Sequence, residues 1–226
     1  MVNFSNKLSK LLNNNKLLKG LYSDLKISGN NPWELKLKLK WNKNLNILIS
    51  SFDLSDIWAL HDWWINTLNY NSKKYYPLFP DDERMLRFIS NHYKNHKNHR
   101  DTIFNCWLIK EGDCNEDYDN EIIGHFLIYR INTKPELSIG ISDKFQGKKL
   151  GTLFIIICIS ILKILEKKTF YLFVDKENKT GLGLYKKLGF EVIGESEIFL
   201  PAVDWRNSGY NMKLKLENFE KFYSFY

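Results

Sequence analysis

The residues with the clearest chemical potential form the loop DKFQGKKLGT, residues 143–152. It holds Gly147 and Gly151, four positions apart, among several lysines. An apolar run precedes it and a longer apolar run follows, which predicts a junction between a strand and a helix. The first amide hydrogens of a helix lack intrahelical partners and attract anions. The loop is therefore expected to form either a phosphate site or a tight turn. It matches neither of two known phosphate-binding patterns, GxxxxGK[ST] and GxGxxG.

A second pattern with chemical potential is the histidine series His92, His96 and His99 in HYKNHKNH. Their spacing places the three rings on one face of a helix, as a metal site would require. Lys94 and Lys97 lie between them, and the segment contains no acidic residue or cysteine. We therefore favour a solvated helix end and expect no bound metal.

The elements that would position these groups follow from hydrophobic periodicity. Residues 34–50 alternate apolar and polar side chains on both sides of the turn NKN, which predicts a β-hairpin. A helix of about 18 residues follows the loop. Other predicted helices lie at 53–69 (with Ser55 and Asp56 as caps), 81–99 and 178–189, and other strands at 102–110, 121–131, 136–142, 169–174 and in two segments from 190 to about 216.

The connections between these elements predict the fold class. Neighbouring strands joined by short loops should be antiparallel, whereas the crossover from 136–142 to 169–174 should make a parallel pair. The chain is thus expected to form a mixed α/β fold of the α+β type, with a mainly antiparallel sheet and helices on both faces.

The net charge of +7 resides at the start of the chain, because residues 1–50 hold nine lysines and two acidic residues. Residues 5–20 predict a short amphipathic helix. Lys36, Lys38 and Lys40 share one face of the predicted hairpin and would suit nucleic acid or another anionic surface. A solvated face, or a sheet edge protected by lysines, explains them more simply. We therefore do not expect a nucleic-acid partner.

The cysteines and the apolar runs indicate where the protein works. Cys106, Cys114 and Cys158 are an odd number without metal-ligand spacing, and Cys158 lies in an apolar helix where a reduced, packed thiol is expected. This favours the cytoplasm. The longest apolar run, 153–162, falls short of the ~20 residues that span a membrane, so we expect no membrane association.

Two motifs in the second half of the chain resemble the GNAT superfamily of N-acetyltransferases. Residues 146–151, QGKKLG, resemble the cofactor loop [QR]-x-x-G-x-[GA], although Lys149 stands where glycine is more common. Downstream, Asn178 and Gly181 precede LYKKLGF, which resembles the later signature of the family. The close resemblance covers about residues 121–195 and a looser one about 46–216. It predicts an acetyltransferase domain at 46–216, a basic extension at 1–45 and a tail at 217–226, with a sheet splayed at its parallel pair.

The resemblance implies acetyl-CoA as co-substrate, with its pyrophosphate on the loop and its pantetheine arm between strands 136–142 and 169–174. The amide of Ile141 or its neighbour would bond the acetyl carbonyl and later the oxyanion. Asn178 would contact the cofactor, cap the helix that follows, or do both. The cofactor-binding residues expected in this way are Ile141, Gln146, Gly147, Lys148, Lys149, Leu150, Gly151, Thr152, Asn178, Gly181 and Tyr185.

Catalytic roles also follow from the resemblance. Tyr185 occupies the family's acid position and would protonate the departing thiolate; its alternative is a packed core tyrosine. Glu136, at the start of a strand, is a candidate base or a solvated strand-end charge, and Glu121 and Glu34 are weaker competitors.

The acceptor side would lie around an aromatic-rich segment, since an aromatic wall suits a cationic amine. Within it, Trp58 and Trp64 are better explained by core packing, and the loop residues Tyr75, Tyr76 and Phe79 are the expected acceptor contacts. The function expected is acetyl transfer from acetyl-CoA to a primary amine in a ternary complex. The alternatives are an acyl-CoA-binding sensor on the same fold and a basic N-terminus that contacts nucleic acid or ribosomes. The sequence leaves open whether the protein forms a homodimer.

Overall fold

The computed structural model describes residues 3–73, 82–109, 121–200 and 205–219. Its helices are α1 (Phe4–Asn13), α2 (Ile57–Asp62), α3 (Tyr70–Lys73), α4 (Asp82–Lys97), α5 (Leu150–Ile164) and α6 (Lys179–Lys187). Its strands are β1 (Tyr22–Ser28), β2 (Lys36–Trp41), β3 (Leu45–Ser51), β4 (Thr102–Leu108), β5 (Glu121–Tyr129), β6 (Glu136–Ile141), β7 (Thr169–Asp175), β8 (Glu191–Leu200) and β9 (Trp205–Lys215).

These strands form one mixed sheet in the order β1-β2-β3-β4-β5-β6-β7-β9-β8. Among the described strands, β6 and β7 are the parallel pair, and the other neighbours are antiparallel. The parallel pairing extends over Glu136–Tyr171 and Leu137–Leu172, after which the two strands separate. The predicted fold class and the predicted splay at the parallel pair are both confirmed.

Helix α5 packs on one face of the sheet because its residues are almost all apolar and buried. Phe154 of α5 stacks on Phe126 of β5 with ring centroids 4.5 Å apart. A side chain at Gly124 would place its Cβ 2.6 Å from Phe154, so the glycine lets the helix approach the strand. The buried Cys158 belongs to this core and carries a free thiol, as predicted.

The first 45 residues contribute to the same core. Phe4, Leu8 and Leu12 of α1 are buried in the cluster that surrounds α5. Strand β1 was not predicted, because its alternation is interrupted: Asp24 has a φ of +56° and the register shifts between Ser23 and Lys26. Since β1 pairs with β2, the interpretation of the lysine-rich strand as a sheet edge is wrong. Lys36 and Lys38 are exposed on the face of the sheet opposite to the buried leucines.

Helices α2 and α4 cover the other face, over a second core that includes Trp63, Trp64 and Ile89. The predicted helix 53–69 is divided into a short turn, α2 and a π-helical turn, Trp63–Thr67. Its cap is Asp53, whose carboxylate accepts from the Ser55 amide while Asp56 accepts from the Asp53 amide. The core interpretation is confirmed for Trp64 but wrong for Trp58, which is 67% exposed.

Of the three histidines, His99 is exposed just beyond the end of α4, as predicted, whereas His92 and His96 are not on a solvated helix end. His96 is 1% exposed, and its Nδ1 accepts a hydrogen bond from the Ile103 amide at 3.2 Å. His92 packs against Phe88 and Tyr129, while His99 stacks on Trp33. The helical pattern alone could not reveal that β4 and β5 cover this face. No group of three or more potential ligands that could hold a metal occurs among the residues the structure describes.

Candidate active site

A cleft of about 750 Å³ opens where β6 and β7 separate. The cleft is lined by β6 on one side, by β7 and α6 on the other, and by the loop before α5 at its mouth. Every residue predicted to bind the cofactor except Lys148 lines this space. The splayed pair and the two sequence motifs therefore converge on one site.

The loop presents backbone amides to the cleft. Gly147 and Lys149 adopt left-handed conformations, with φ values of +73° and +61°. Helix α5 begins at Leu150, and the Leu153 amide donates to the Lys149 carbonyl at 3.2 Å. The amides of Leu150, Gly151 and Thr152 precede that bond and lie outside the helical ladder. Together with the positive end of the α5 dipole they suit a phosphate group.

The loop is held from two sides. The Lys148 carbonyl accepts from Trp41 Nε1 at 2.8 Å and from Asn42 Nδ2 at 3.0 Å, which ties it to the β2–β3 hairpin. On the other side, Gln146 Nε2 donates to Ser72 Oγ at 3.0 Å and to Asp143 Oδ1 at 3.2 Å. The Lys148 carbonyl and the Gln146 side chain thus anchor the loop on both sides.

Strand β6 directs amides into the gap. The Ser142 amide donates to the Ile123 carbonyl on β5 at 2.9 Å. Because successive amides of a strand point in opposite directions, those of Ile139 and Ile141 point away from β5, towards the gap. Beyond Leu137 strand β7 offers no pairing to them. They are available to bond a carbonyl oxygen in the cleft.

Helix α6 places the second motif on the opposite wall. The Asn178 side chain caps the helix, with Oδ1 accepting from the Gly181 amide at 2.8 Å. A Cβ at Gly181 would lie within 2.9 Å of that side chain, which explains the need for a small residue there. Tyr185 is 8% exposed and lines the cleft, and burial raises its pKa above the ordinary value. The phenol therefore stays protonated throughout the neutral range.

Gly151 lies where the helix, β6 and α6 approach each other. A Cβ at this position would lie 3.0 Å from Leu184 Cδ2 and 3.5 Å from Ile141 Cδ1. The glycine thus keeps the floor of the cleft open between its two walls.

The three predicted carboxylates lie apart from one another. Glu136 is at the start of β6, about 16 Å along the strand from Ile141, and it pairs with Arg130 and Lys134. Glu34 precedes β2 at that same end of the sheet, whereas Glu121 pairs with Lys144 at 2.5 Å near the cofactor loop. The position and ion pairs of Glu136 favour the strand-end charge over the base.

A second, much smaller cavity, of about 40 Å³, lies on the opposite face of β5 and β6, under α2 and α4. Its lining includes Leu60, Trp64 and Phe88, together with His125 and Ser138. Ser138 also lines the cleft between β6 and β7, so the two spaces meet at the middle of β6. We name the second space the aromatic cavity.

His125 is the group in this cavity that the sequence reasoning missed. It is 5% exposed on β5 and lies directly opposite Gly140 of β6. Its Nδ1 lies 2.8 Å from Asn105 Oδ1, and Asn105 Nδ2 donates to Asp56 Oδ2 at 3.1 Å. Burial lowers the pKa of His125 to about 3, so the ring is neutral. A histidine inside the apolar strand IIGHFLI was the signal available.

The predicted acceptor contacts Tyr75, Tyr76 and Phe79 lie outside the described residues. Cys114 also lies outside them. No helix in the described ranges has the length and apolar character needed to cross a membrane.

The splayed sheet, the amide-lined loop and the capped helix α6 define the fold of a GNAT acetyltransferase. A sequence model of the acetyltransferase (GNAT) domain matches residues 46–191. This match covers more than half of the chain, so the protein belongs to the GNAT acetyltransferase family.

Individual relatives agree with this assignment. Spermidine N(1)-acetyltransferase of Escherichia coli K12 is 38% identical over 69 residues. That match covers 30% of this chain and 37% of the relative, so the chain matches a little over a third of that protein's length.

Solved structures share the fold. Spermidine N-acetyltransferase from Vibrio cholerae, in complex with CoA and spermine, aligns with a TM-score of 0.59 and 20% identity over 77% of this chain and 98% of that chain. RimJ of Mycobacterium smegmatis, in complex with CoA-disulfide, aligns with a TM-score of 0.60 and 13% identity over 87% and 88% of the two chains. At these identities the likeness concerns the fold.

Proposed function

We propose that this protein transfers the acetyl group of acetyl-CoA to a primary amine by direct attack within a ternary complex. The observation that carries the proposal is the cleft between β6 and β7, with unpaired amides at its mouth and along one wall. The structural relatives solved with CoA and with CoA-disulfide have the same fold, which supports the cofactor.

In this proposal the amides of residues 150–152 and the α5 dipole hold the pyrophosphate, whose charge they complement. The amide of Ile141 or Ile139 bonds the acetyl carbonyl and stabilises the oxyanion that forms on it. Asn178 and Gly181 fix the start of α6 beside the cofactor. Lys148 and Lys149 add positive charge around the phosphates.

The chemical step balances as follows. The lone pair of the amine nitrogen forms a bond to the thioester carbon, and collapse of the intermediate breaks the C–S bond. The sulfur leaves with the electron pair and takes the phenolic proton of Tyr185, which is later replaced from water. The nitrogen loses one proton to solvent water as it becomes an amide nitrogen. Glu136 has no part in this scheme because it is bound in ion pairs at the far end of β6.

Thiol release tests the reaction. Purified protein is incubated with acetyl-CoA and a panel of amines, while acetyl-CoA binding is measured separately by calorimetry. Amine-dependent release of CoA thiol is expected. Binding of acetyl-CoA without release for any amine would instead indicate an acyl-CoA sensor.

Replacing Tyr185 by Phe tests the assigned acid. The change removes the hydroxyl and keeps the packing, so kcat should fall about 100-fold while acetyl-CoA binds as before. Tyr93→Phe, on α4, is the matched control and should leave kcat within about twofold of the parent. An unchanged kcat in Tyr185→Phe would assign this tyrosine to the core.

A further inference from the structure

Strands β1 and β2 carry a basic surface on the side of the sheet that faces away from α1 and α5, since the leucines of β2 belong to the core around those helices. Residues that pair across antiparallel strands project to the same side. The pairs on this side are Ser23 with Lys40, Lys26 with Lys38, and Ser28 with Lys36. Lys40 is half-buried and the other five residues are exposed. We name these six residues the lysine face.

The lysine face carries little negative charge. Strands β1, β2 and β3 contain one acidic residue, Asp24, which lies in the bulge of β1 and accepts a hydrogen bond from Ser23 Oγ at 2.9 Å. At the edge of the face Lys36 lies close to Asp56, just before α2. Lys38 and Lys40 continue the positive charge along β2, at intervals of about 7 Å.

Lys26 and Lys38 form an unfavourable pair. They lie directly opposite each other, and like charges in that position destabilise an antiparallel pair of strands. From the sequence we expected no nucleic-acid partner, because a sheet edge or a solvated face explained the lysines more simply. The edge is wrong, and a merely solvated face would be more stable with a neutral or acidic residue at one of these two positions. An anion bound across both strands would replace the repulsion by attraction to a shared partner.

The register of the sheet adds an aromatic ring to this side. Lys38 pairs with Leu48 of β3, and Leu48 pairs with the half-buried Trp107 of β4. Basic residues that follow a phosphate backbone, together with an aromatic side chain on which a base can stack, are typical of proteins that bind single strands. A duplex fits less well, because its major groove admits a helix or a two-stranded ribbon and not the face of a wide sheet.

A lipid surface also fits this face less well. Proteins that lie on membranes bury apolar side chains at the boundary of the headgroups. The large apolar side chains exposed in the described part of the chain are Leu54, Trp58, Ile65, Val192, Ile193 and Phe199. Strands β1 to β4 contribute none of them, so the lysine face offers charge without an apolar anchor.

We propose that the lysine face binds a single strand of nucleic acid through its phosphates. The four lysines contact phosphate oxygens as point charges, and the exposed hydroxyl of Ser28 donates to the same backbone. Contacts of this kind fix the position of the strand and carry no sequence information. This binding is separate from acetyl transfer, because the face belongs to β1 and β2 whereas the cleft lies between β6 and β7.

The salt dependence of RNA binding tests the proposal on the unaltered protein. Fluorescence anisotropy follows a labelled single-stranded RNA of about 12 nucleotides, which is within the usual site size. If four lysines meet phosphates, the logarithm of the association constant should fall against the logarithm of the salt concentration with a slope of about −3. Absence of binding at low salt would overturn the proposal. CoA release is measured separately, so a failure here leaves the acetyltransferase function standing.

The double variant Lys26→Gln/Lys38→Gln tests the surface. At about 0.1 M salt its RNA affinity should fall at least about tenfold, and the slope should become shallower by about 1.4. The matched control is Lys7→Gln/Lys10→Gln, which removes the same charge from exposed residues of α1, on the other side of the sheet. Its affinity should stay within about twofold of the parent, because distant charges are screened. Equal losses in both double variants would indicate attraction to net charge alone and would overturn the proposal.

Urea unfolding separates a lost contact from a lost fold. Because the repulsive pair is removed, Lys26→Gln/Lys38→Gln should unfold at the same urea concentration as the parent or at a higher one. A lower midpoint would mean that the two lysines stabilise the sheet and would overturn the proposal. Vesicles that contain phosphatidylserine provide the remaining comparison. If the unaltered protein bound these vesicles and not RNA, the partner would be a lipid surface and the proposal would be wrong.

Discussion

The two spaces that meet at Ser138 are built from different parts of the chain. The cleft between β6 and β7 presents backbone amides of the loop before α5, next to Gly147 and Gly151, whereas the aromatic cavity is lined mainly by side chains of α2, α4 and three strands. A site built from the backbone imposes a short local pattern, because only certain residues permit its conformation. A site built from side chains imposes no such pattern, since its members are adjacent only after folding.

Acid should distinguish the two faces most strongly. Burial lowers the pKa of His96, on the α4 face, to about 4, whereas the ordinary pKa of histidine is 6.5. Between these two values the unfolded chain binds a proton at this histidine that the folded protein does not bind. The stability that this neutral ring contributes is present above pH 6.5 and is lost as the pH falls towards 4. The loss should amount to roughly 3 kcal/mol in the free energy of unfolding.

Urea unfolding at pH 7 and pH 4.5 measures this effect. His96→Gln should show a smaller loss of stability between the two values than the parent, because one acid-sensitive group is gone. His99 adopts a left-handed conformation that Asn tolerates, so His99→Asn should lose as much stability between pH 7 and pH 4.5 as the parent. If all three proteins lost the same stability between pH 7 and pH 4.5, the acid sensitivity would have to come from groups other than His96.

Gly151→Val should damage the cofactor cleft and spare the cavity. The new side chain would occupy the gap between Leu184 and Ile141, so acetyl-CoA affinity should fall about 30-fold, or about 2 kcal/mol. Calorimetry with acetyl-CoA measures the loss.

The matched control for this change is Gly183→Val on α6. A Cβ at Gly183 meets nothing within 4 Å, so its affinity should stay within about twofold of the parent. If both valine variants bound acetyl-CoA at full strength, the loop would be a turn and not a phosphate site.

Trp41→Phe should have the smallest effect of the series. It removes the bond from Nε1 to the Lys148 carbonyl, worth about 1 kcal/mol, and loosens the loop that we propose holds the pyrophosphate. Acetyl-CoA affinity should fall about fivefold. Trp107→Phe removes a comparable bond to Ser50 Oγ, 3.0 Å long, away from the loop, and should leave affinity unchanged. Equal losses in both variants would argue against a role in positioning the loop.

Much of the fold could be predicted from the sequence where periodicity was regular. The β2–β3 hairpin, the parallel crossover around α5 and the short helix α6 all follow strong local patterns. Strand β1 does not, since Asp24 in a left-handed conformation interrupts its alternation. The burial of His92 and His96 depends on which strands pack against α4, and helical spacing carries no such information.

The same distinction applies to the candidate site. The loop 146–151 and the segment from Asn178 are each continuous in sequence, and the structure brings them to one cleft. His125 and Asn105, by contrast, meet through the register of β4 against β5, which places them directly opposite each other. Register is set by the whole sheet, so no local motif could have predicted that pair.

The hydrogen bond between Trp41 and Lys148 also concerns the order of folding. Its partners are 107 residues apart in sequence, so it closes a long loop and must follow the assembly of the strands between them. Because the hairpin precedes α5 in the chain, this bond cannot form before residue 148 has been synthesised. We therefore expect the loop before α5 to be among the last parts of the molecule to become ordered.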